Sequence, residues 1–172
     1  MSDWRERFRK ESQPRLKLIA PPPFVFGLPF ALGVGLDQLL GGGVSPGPAR
    51  LVIAGVLIAV SAAIMAWTLF ELRRHGESPD PGEATGKIVD SGPFAFSRNP
   101  IYAAFLIAEF GVWIAVGGWL TFLGLAASAV TGHYLVILPE ERHLEESFGQ
   151  EYREYCQRVG RWIYNPFQGL CM

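Results

Sequence analysis

The feature that most constrains this chain is the separation of its charges from its apolar residues. Charged residues gather at the N-terminus, between Glu71 and Arg98, and after Pro139. Between these clusters run long stretches almost free of charge. Four such stretches, about 18–40, 51–70, 101–116 and 119–138, have the length and composition of bilayer spans. Pro21, Pro22 and Pro23 stand at the start of the first, where missing amide donors cost least, and Pro29 inside it is expected to kink the helix. GGGVSPGPAR at 41–50 reads as a turn-rich loop.

Orientation follows from the cations. With both termini and the Glu71–Arg98 loop on one side, that side holds all of the 15 Lys and Arg residues except Arg50. Positive charge stays inside, so both termini and the middle loop are expected to be cytoplasmic. The spacing of Gly55, Ala59 and Ala63, and of Gly124, Ser128 and Gly132, marks two seams where helices can approach closely in lipid.

Composition narrows the function. A net charge of −1 gives no basis for nucleic-acid binding. Cys156 and Cys171 lack metal-site spacing and read as free thiols of a reducing compartment, so no metal is expected. No cleavable signal sequence is apparent at the N-terminus.

Gly117-Gly118 turns the third and fourth spans into an antiparallel hairpin. Tyr102 then lies level with His133, and Glu140 with Phe94 and Ala95. Three polar segments, GPFAF at 92–96, SRNPIY at 97–102 and PEERHL at 139–144, converge at the cytoplasmic boundary. Each also has an ordinary structural reading. Gly92-Pro93 makes a turn, Asn99-Pro100 a helix start, Arg98 a boundary charge, and Glu140-Glu141 suits a helix N-terminus. Glu109 stands about 15 Å beyond Asn99 by helical rise, where an ionisable group is costly, and shares a face with Tyr102. Its role is structural or substrate-facing. His133 has the same two readings. From Glu140 to Val159 an amphipathic helix carries Leu144, Phe148, Tyr152, Tyr155 and Val159 on one face, with Gly149 as a weak point.

KIVDSGPFAFSRNPIY, a hairpin of about 35 residues, and PEERHLEESFGQEYREYCQRVGRWI together resemble the isoprenylcysteine carboxyl methyltransferase and phospholipid N-methyltransferase family. The resemblance runs from about Arg73 to Ile163. It implies an all-α integral membrane enzyme that uses S-adenosyl-L-methionine, with the cofactor at the cytoplasmic end of the hairpin under the C-terminal helix. Residues 1–72 would form the N-terminal segment and first two spans, and 73–172 the catalytic region. Carried over by position, the cofactor set is Gly86, Lys87, Ile88, Val89, Phe94, Arg98, Asn99, Pro100, Ile101, Tyr102, Glu140 and Glu141. Asn99, Tyr102, His133 and Glu109 are the candidates for catalysis. Family members commonly carry tyrosine at Phe94 and histidine at Asn99. Val136 stands where the eukaryotic carboxyl methyltransferases place an arginine for the substrate carboxylate.

The resemblance implies a lipophilic or amphiphilic acceptor, a membrane-lipid setting and a bacterial inner-membrane location with the active site inside. A phospholipid, a small thiol or an isoprenoid carboxylate all remain open as acceptors. A reductase that binds NADPH, like the membrane sterol reductases, and a non-catalytic four-helix subunit are the competing functions.

Overall fold

The computed structural model describes residues 16, 18–83 and 85–162. The N-terminal cationic cluster and Cys171 lie outside them. The described chain is helical and contains no strand. Its helices are α1 (Pro22–Leu40), α2 (Pro48–Arg74), α3 (Pro100–Val116), α4 (Trp119–Gly132), α5 (Leu138–Phe148) and α6 (Gln150–Arg158). A 3₁₀ turn covers Gly92–Ala95, and a π turn covers His133–Ile137.

Among the described residues, three helices are long and apolar enough to cross a membrane: Pro22–Leu40, Pro48–Arg74 and a continuous Trp119–Phe148. The fourth apolar helix, α3, has 17 residues. α1 runs through Pro29 without interruption. The fourth apolar stretch differs from expectation, because the helix does not stop near Leu138. It passes the proline through the π turn and reaches Phe148. Pro139 has no N–H to donate, and widening the preceding turn to π geometry accommodates the lost rung.

The described residues form two compact units. One comprises Ile19–Met65 and Ile101–Val136. Its surface is apolar, unlike that of a soluble domain, and its interior holds polar groups as well as apolar ones. Phe24, Leu28, Leu32, Leu36 and Leu39 form an exposed stripe on α1, while Asp37, Ser61, Glu109, Thr121 and Ser128 are buried. Apolar outside and polar inside is stable where the surroundings are hydrocarbon, and the protein is accordingly a membrane protein.

Packing within this unit confirms one small-residue seam and corrects the other. A Cβ on Gly33 would stand 2.4 Å from the Leu120 carbonyl, one on Gly124 2.8 Å from the Pro29 carbonyl, and one on Gly132 2.2 Å from the Phe26 ring. The α4 seam therefore carries α1 at backbone distance. Gly55, Ala59 and Ala63 are exposed instead. On α2 the inward positions of this unit are Ala54 and Ser61, and Ser61 donates to the Ala104 carbonyl at 2.7 Å. α3 meets α2 through Gly111, whose added Cβ would lie 3.1 Å from Leu57.

The α3–α4 hairpin turns on Gly117 (φ +67°) and Gly118 (φ +90°), conformations that L side chains rarely adopt. Asp37 of α1 caps the new helix from outside, accepting from Leu120 N and from both the amide and hydroxyl of Thr121. The Arg50 guanidinium donates to the Ile114 carbonyl at the end of α3.

The other unit comprises Ala66–Pro100 and the chain from Ile137 onward. Its core is the amphipathic face predicted for the C-terminal segment. Phe148, Tyr152, Tyr155, Cys156 and Val159 are buried together, with Leu144 and Ile88 packed against them. The segment is two helices rather than one, broken at Gly149 (φ +56°). Cys156 is disulfide-bonded, which corrects the expectation of a free thiol.

Candidate functional site

In the second of these units the loop 90–99 is bound to the C-terminal segment along its length. Arg158 pairs with Asp90 at 3.0 Å, and the Tyr155 hydroxyl donates to the Phe94 carbonyl at 2.8 Å. Ser97 Oγ donates to the Arg161 carbonyl, and Arg98 N to that of Gly160. The 3₁₀ turn that presents Phe94 is set by Gly92-Pro93. Beneath it, Glu71 accepts from Ser91 Oγ at 2.5 Å and lies beside His75.

The centre of this contact is Glu141. Its side chain is 4% exposed, and Arg161 grips it by Nε at 3.1 Å to both oxygens and by Nη2 at 2.7 Å to Oε2. Arg98 Nη2 stands 3.6 Å from Oε1. Asn99 Nδ2 donates to Oε1 at 3.4 Å and to the Arg161 carbonyl at 3.2 Å. A buried carboxylate held by a planar guanidinium fork is a rigid element. The Glu141 carboxylate raises the Arg161 pKa above its ordinary value, so the fork stays charged. Burial pushes the phenols of Tyr152 and Tyr155 up, and the nearby Glu141 charge adds to the effect on Tyr152.

The structure thus brings together Phe94, Arg98, Asn99 and Glu141 of the predicted set. Glu140, half-buried, precedes Glu141 in the first turn of α5. Gly86 gives its amide to Glu77 Oε2 at 3.1 Å, and Ile88 turns into the C-terminal core. Lys87 is half-buried, Val89 is buried, and Pro100 is buried at the first position of α3.

Ile101, Tyr102, Glu109 and His133 belong to the other unit. There the Tyr102 ring stacks on Phe26 with centroids 5.3 Å apart and planes 9° from parallel. Phe26 also abuts Gly132, in agreement with the predicted level of Tyr102 beside the end of α4. Glu109 is 8% exposed, and Ser128 lies beside it. His133 sits edge-on to the Tyr134 ring. Val136, at the position of the absent arginine, is fully buried.

Arg161, Ser97 and Glu77 were not singled out from the sequence. Only Arg161 had a visible signal, since RVGRW closes the motif run. Asp37 was also missed, although a carboxylate inside an apolar stretch is itself a signal. Among the described residues no cluster of His, Cys, Asp and Glu is arranged to hold a metal ion.

The available chemistry fits a cationic, donor-bearing cofactor. With Gly86 N, Glu141 and the Asn99 amide nitrogen already engaged, the loop still offers the half-buried Phe94 ring and the Asn99 oxygen, and Glu140 adds a negative charge near Tyr152 of the same unit. An aromatic face and anionic or acceptor oxygens suit a sulfonium and its N–H groups.

Three known proteins are similar in sequence to parts of this chain. Methanethiol S-methyltransferase 1 of Bradyrhizobium diazoefficiens is 40% identical over 72 residues, covering 41% of this chain and 24% of that protein. Protein-S-isoprenylcysteine O-methyltransferase B of Arabidopsis thaliana is 29% identical over 114 residues, covering 63% of this chain and 53% of that one. An uncharacterized protein of Haemophilus influenzae is 33% identical over 63 residues and is matched along its whole length. The chain spans about a quarter and about half the length of the two relatives named for an activity. The phospholipid methyltransferase family matches residues 49–151, a span that includes α2, the 90–99 loop, the hairpin and Glu141, and the chain belongs to that family.

Proposed function

We propose that the protein is a membrane-embedded methyltransferase that uses S-adenosyl-L-methionine and acts on a lipophilic or amphiphilic acceptor. The observation that carries this reading is the closed network of Arg98, Asn99, Glu141 and Arg161, which ties the C-terminal segment across the loop that presents Phe94. Bound there, the cofactor supplies an electrophilic methyl group on sulfur. The Phe94 ring and Glu140 would hold its positive charge, and the strap of Tyr155 and Arg161 keeps the loop in place. Methyl transfer of this kind requires in-line proximity more than acid–base machinery. A thiolate or carboxylate acceptor needs no base, whereas a protonated amine needs one.

The buried Val136 offers no cation to a prenylcysteine carboxylate. That favours a thiol or lipid headgroup acceptor, and the relatives' names span both S- and O-methylation. We place both termini and the 71–98 loop in the cytoplasm of a bacterial inner membrane, on the charge distribution. In this reading residues 1–72 anchor the chain and 73–172 carry catalysis.

The test is calorimetric binding of S-adenosylhomocysteine to the full chain in nanodiscs, with NADPH as the control. Saturable binding that Glu140→Gln abolishes supports the proposal. Binding of NADPH alone, or of neither compound, refutes it.

A further inference from the structure

Asn99 is 6% exposed, and both groups that meet its amide nitrogen can only accept. One is the main-chain oxygen of Arg161. The other is Glu141 Oε1, part of a carboxylate whose two oxygens already receive N–H bonds from Arg161. Neither partner has a proton to give, so the amide is oriented by chemistry: Nδ2 faces Glu141 and Arg161, and Oδ1 faces away. Ser97 Oγ accepts from the Asn99 backbone amide at 3.1 Å and itself donates to the Arg161 carbonyl. The main chain and the side chain of Asn99 are thus both referred to one residue, Arg161. Oδ1 takes no hydrogen bond among the described residues.

We propose that Arg161 is a positioning residue for ligand recognition. It grips Glu141 and accepts from Asn99, and so leaves only the acceptor oxygen of Asn99 for a ligand. The ligand group at this point is then an N–H or O–H donor. The proposal rests on the methyltransferase reading, whose cofactor carries an ammonium, an adenine amino group and ribose hydroxyls. It adds a polarity to that reading: the site at Asn99 receives a donor and rejects an acceptor such as a carboxylate. It also assigns a role to a residue at the far end of the motif run, outside the contact set. Arg161 acts through Asn99 and needs no contact with the ligand.

A double-mutant cycle tests this. The dissociation constant of S-adenosylhomocysteine is measured by calorimetry for the full chain in nanodiscs, as wild type, Arg161→Gln, Asn99→Leu and the double variant. Each single change is expected to weaken binding about 5- to 30-fold, the range for losing or misorienting one buried hydrogen bond. The double variant is expected to fall within about 2-fold of Asn99→Leu, because Arg161 has nothing left to position. Losses that multiply overturn the proposal while leaving the methyltransferase reading standing. Failure of wild type to bind overturns that reading and this proposal with it. If Arg161→Gln does not fold, Arg161→Lys replaces it in the same cycle. That variant keeps the charge without the fork, and its loss must likewise vanish in the Asn99→Leu background.

Discussion

The Asp37 carboxylate receives two hydrogen bonds from Thr121, one from the backbone amide and one from the hydroxyl, each at 2.6 Å. A side chain from α1 thereby does what the residue before α4 does not, since Gly118 has no side chain to cap with. Removing the carboxylate leaves buried amide donors without a partner. Asp37→Ala is expected to lower the thermal midpoint in detergent by several degrees. Asp37→Asn, which retains one acceptor oxygen, should produce the smaller fall. Equal midpoints for all three proteins would exclude the cap.

The seam between α1 and α4 gives a second expectation. A methyl group on Gly132 would collide with the Phe26 ring, which also stacks on Tyr102. Gly132→Ala should cost about 1–3 kcal/mol through overpacking, and Phe26→Leu in the same chain should recover part of it. Gly55→Ala is the control. Nothing lies within 4 Å of its added Cβ, so its effect should stay within about 0.5 kcal/mol. Denaturation in mixed detergent micelles measures all three.

Adjacent glutamates should behave differently. Glu141→Gln leaves the Arg161 fork and Arg98 facing a neutral amide in a largely buried place, and stability should fall by about 3 kcal/mol. Glu140→Gln, at a half-buried position, should cost less stability than Glu141→Gln and abolish binding of S-adenosylhomocysteine. A similar drop in midpoint for both variants would contradict the division of roles.

Alkaline pH offers a separate check on the C-terminal core. Tyr152 and Tyr155 are held neutral in the folded chain, while in the unfolded chain they ionise near the ordinary value of about 10. Above that pH the unfolded state sheds protons that the folded state keeps, so ionisation favours unfolding. Stability from this source is complete below about pH 10 and declines as pH rises further. Comparing midpoints at pH 8 and pH 11 for wild type and Tyr155→Phe should show a smaller decline in the variant. The variant should also lose about 1 kcal/mol at pH 8 with its bond to the Phe94 carbonyl.

Histidine at position 99 makes a titratable version of the asparagine. A neutral imidazole can donate to Glu141 or to the Arg161 carbonyl with one nitrogen and accept from a ligand with the other. Protonation removes the acceptor. Asn99→His should therefore bind S-adenosylhomocysteine nearly as wild type does at pH 8.5. It should weaken about 10-fold as pH falls through the imidazole range, which Glu141 raises and Arg98 and Arg161 lower. Tyr152 and Glu140 are the other ionisable neighbours of this cluster. A pH-independent affinity would show that Oδ1 does not face the ligand.

Much of this architecture is decided by sequence alone, because charge and hydropathy act locally along the chain. A span of apolar residues must become a helix wherever water is absent, since no other local structure satisfies its own amides. That reasoning located α1 to α4, the glycine hairpin and the amphipathic face of Leu144, Phe148, Tyr152, Tyr155 and Val159. The motif run likewise drew Phe94, Asn99, Tyr102, Glu140 and Glu141 into one set, of which Tyr102 belongs to a different unit from the rest. What the tertiary structure decided is which partner each polar group meets. Small residues at four-residue spacing look alike on α2 and α4, yet only those on α4 meet another helix: the Pro29 carbonyl lies opposite Gly124 and the Phe26 ring opposite Gly132, while nothing lies opposite Gly55. Asp37 and Thr121 are 84 positions apart, and Arg161 and Asn99 are 62 apart. Hydrogen bonds over such separations depend on ångström-scale approach between helices and loops, which periodicity along one segment does not encode.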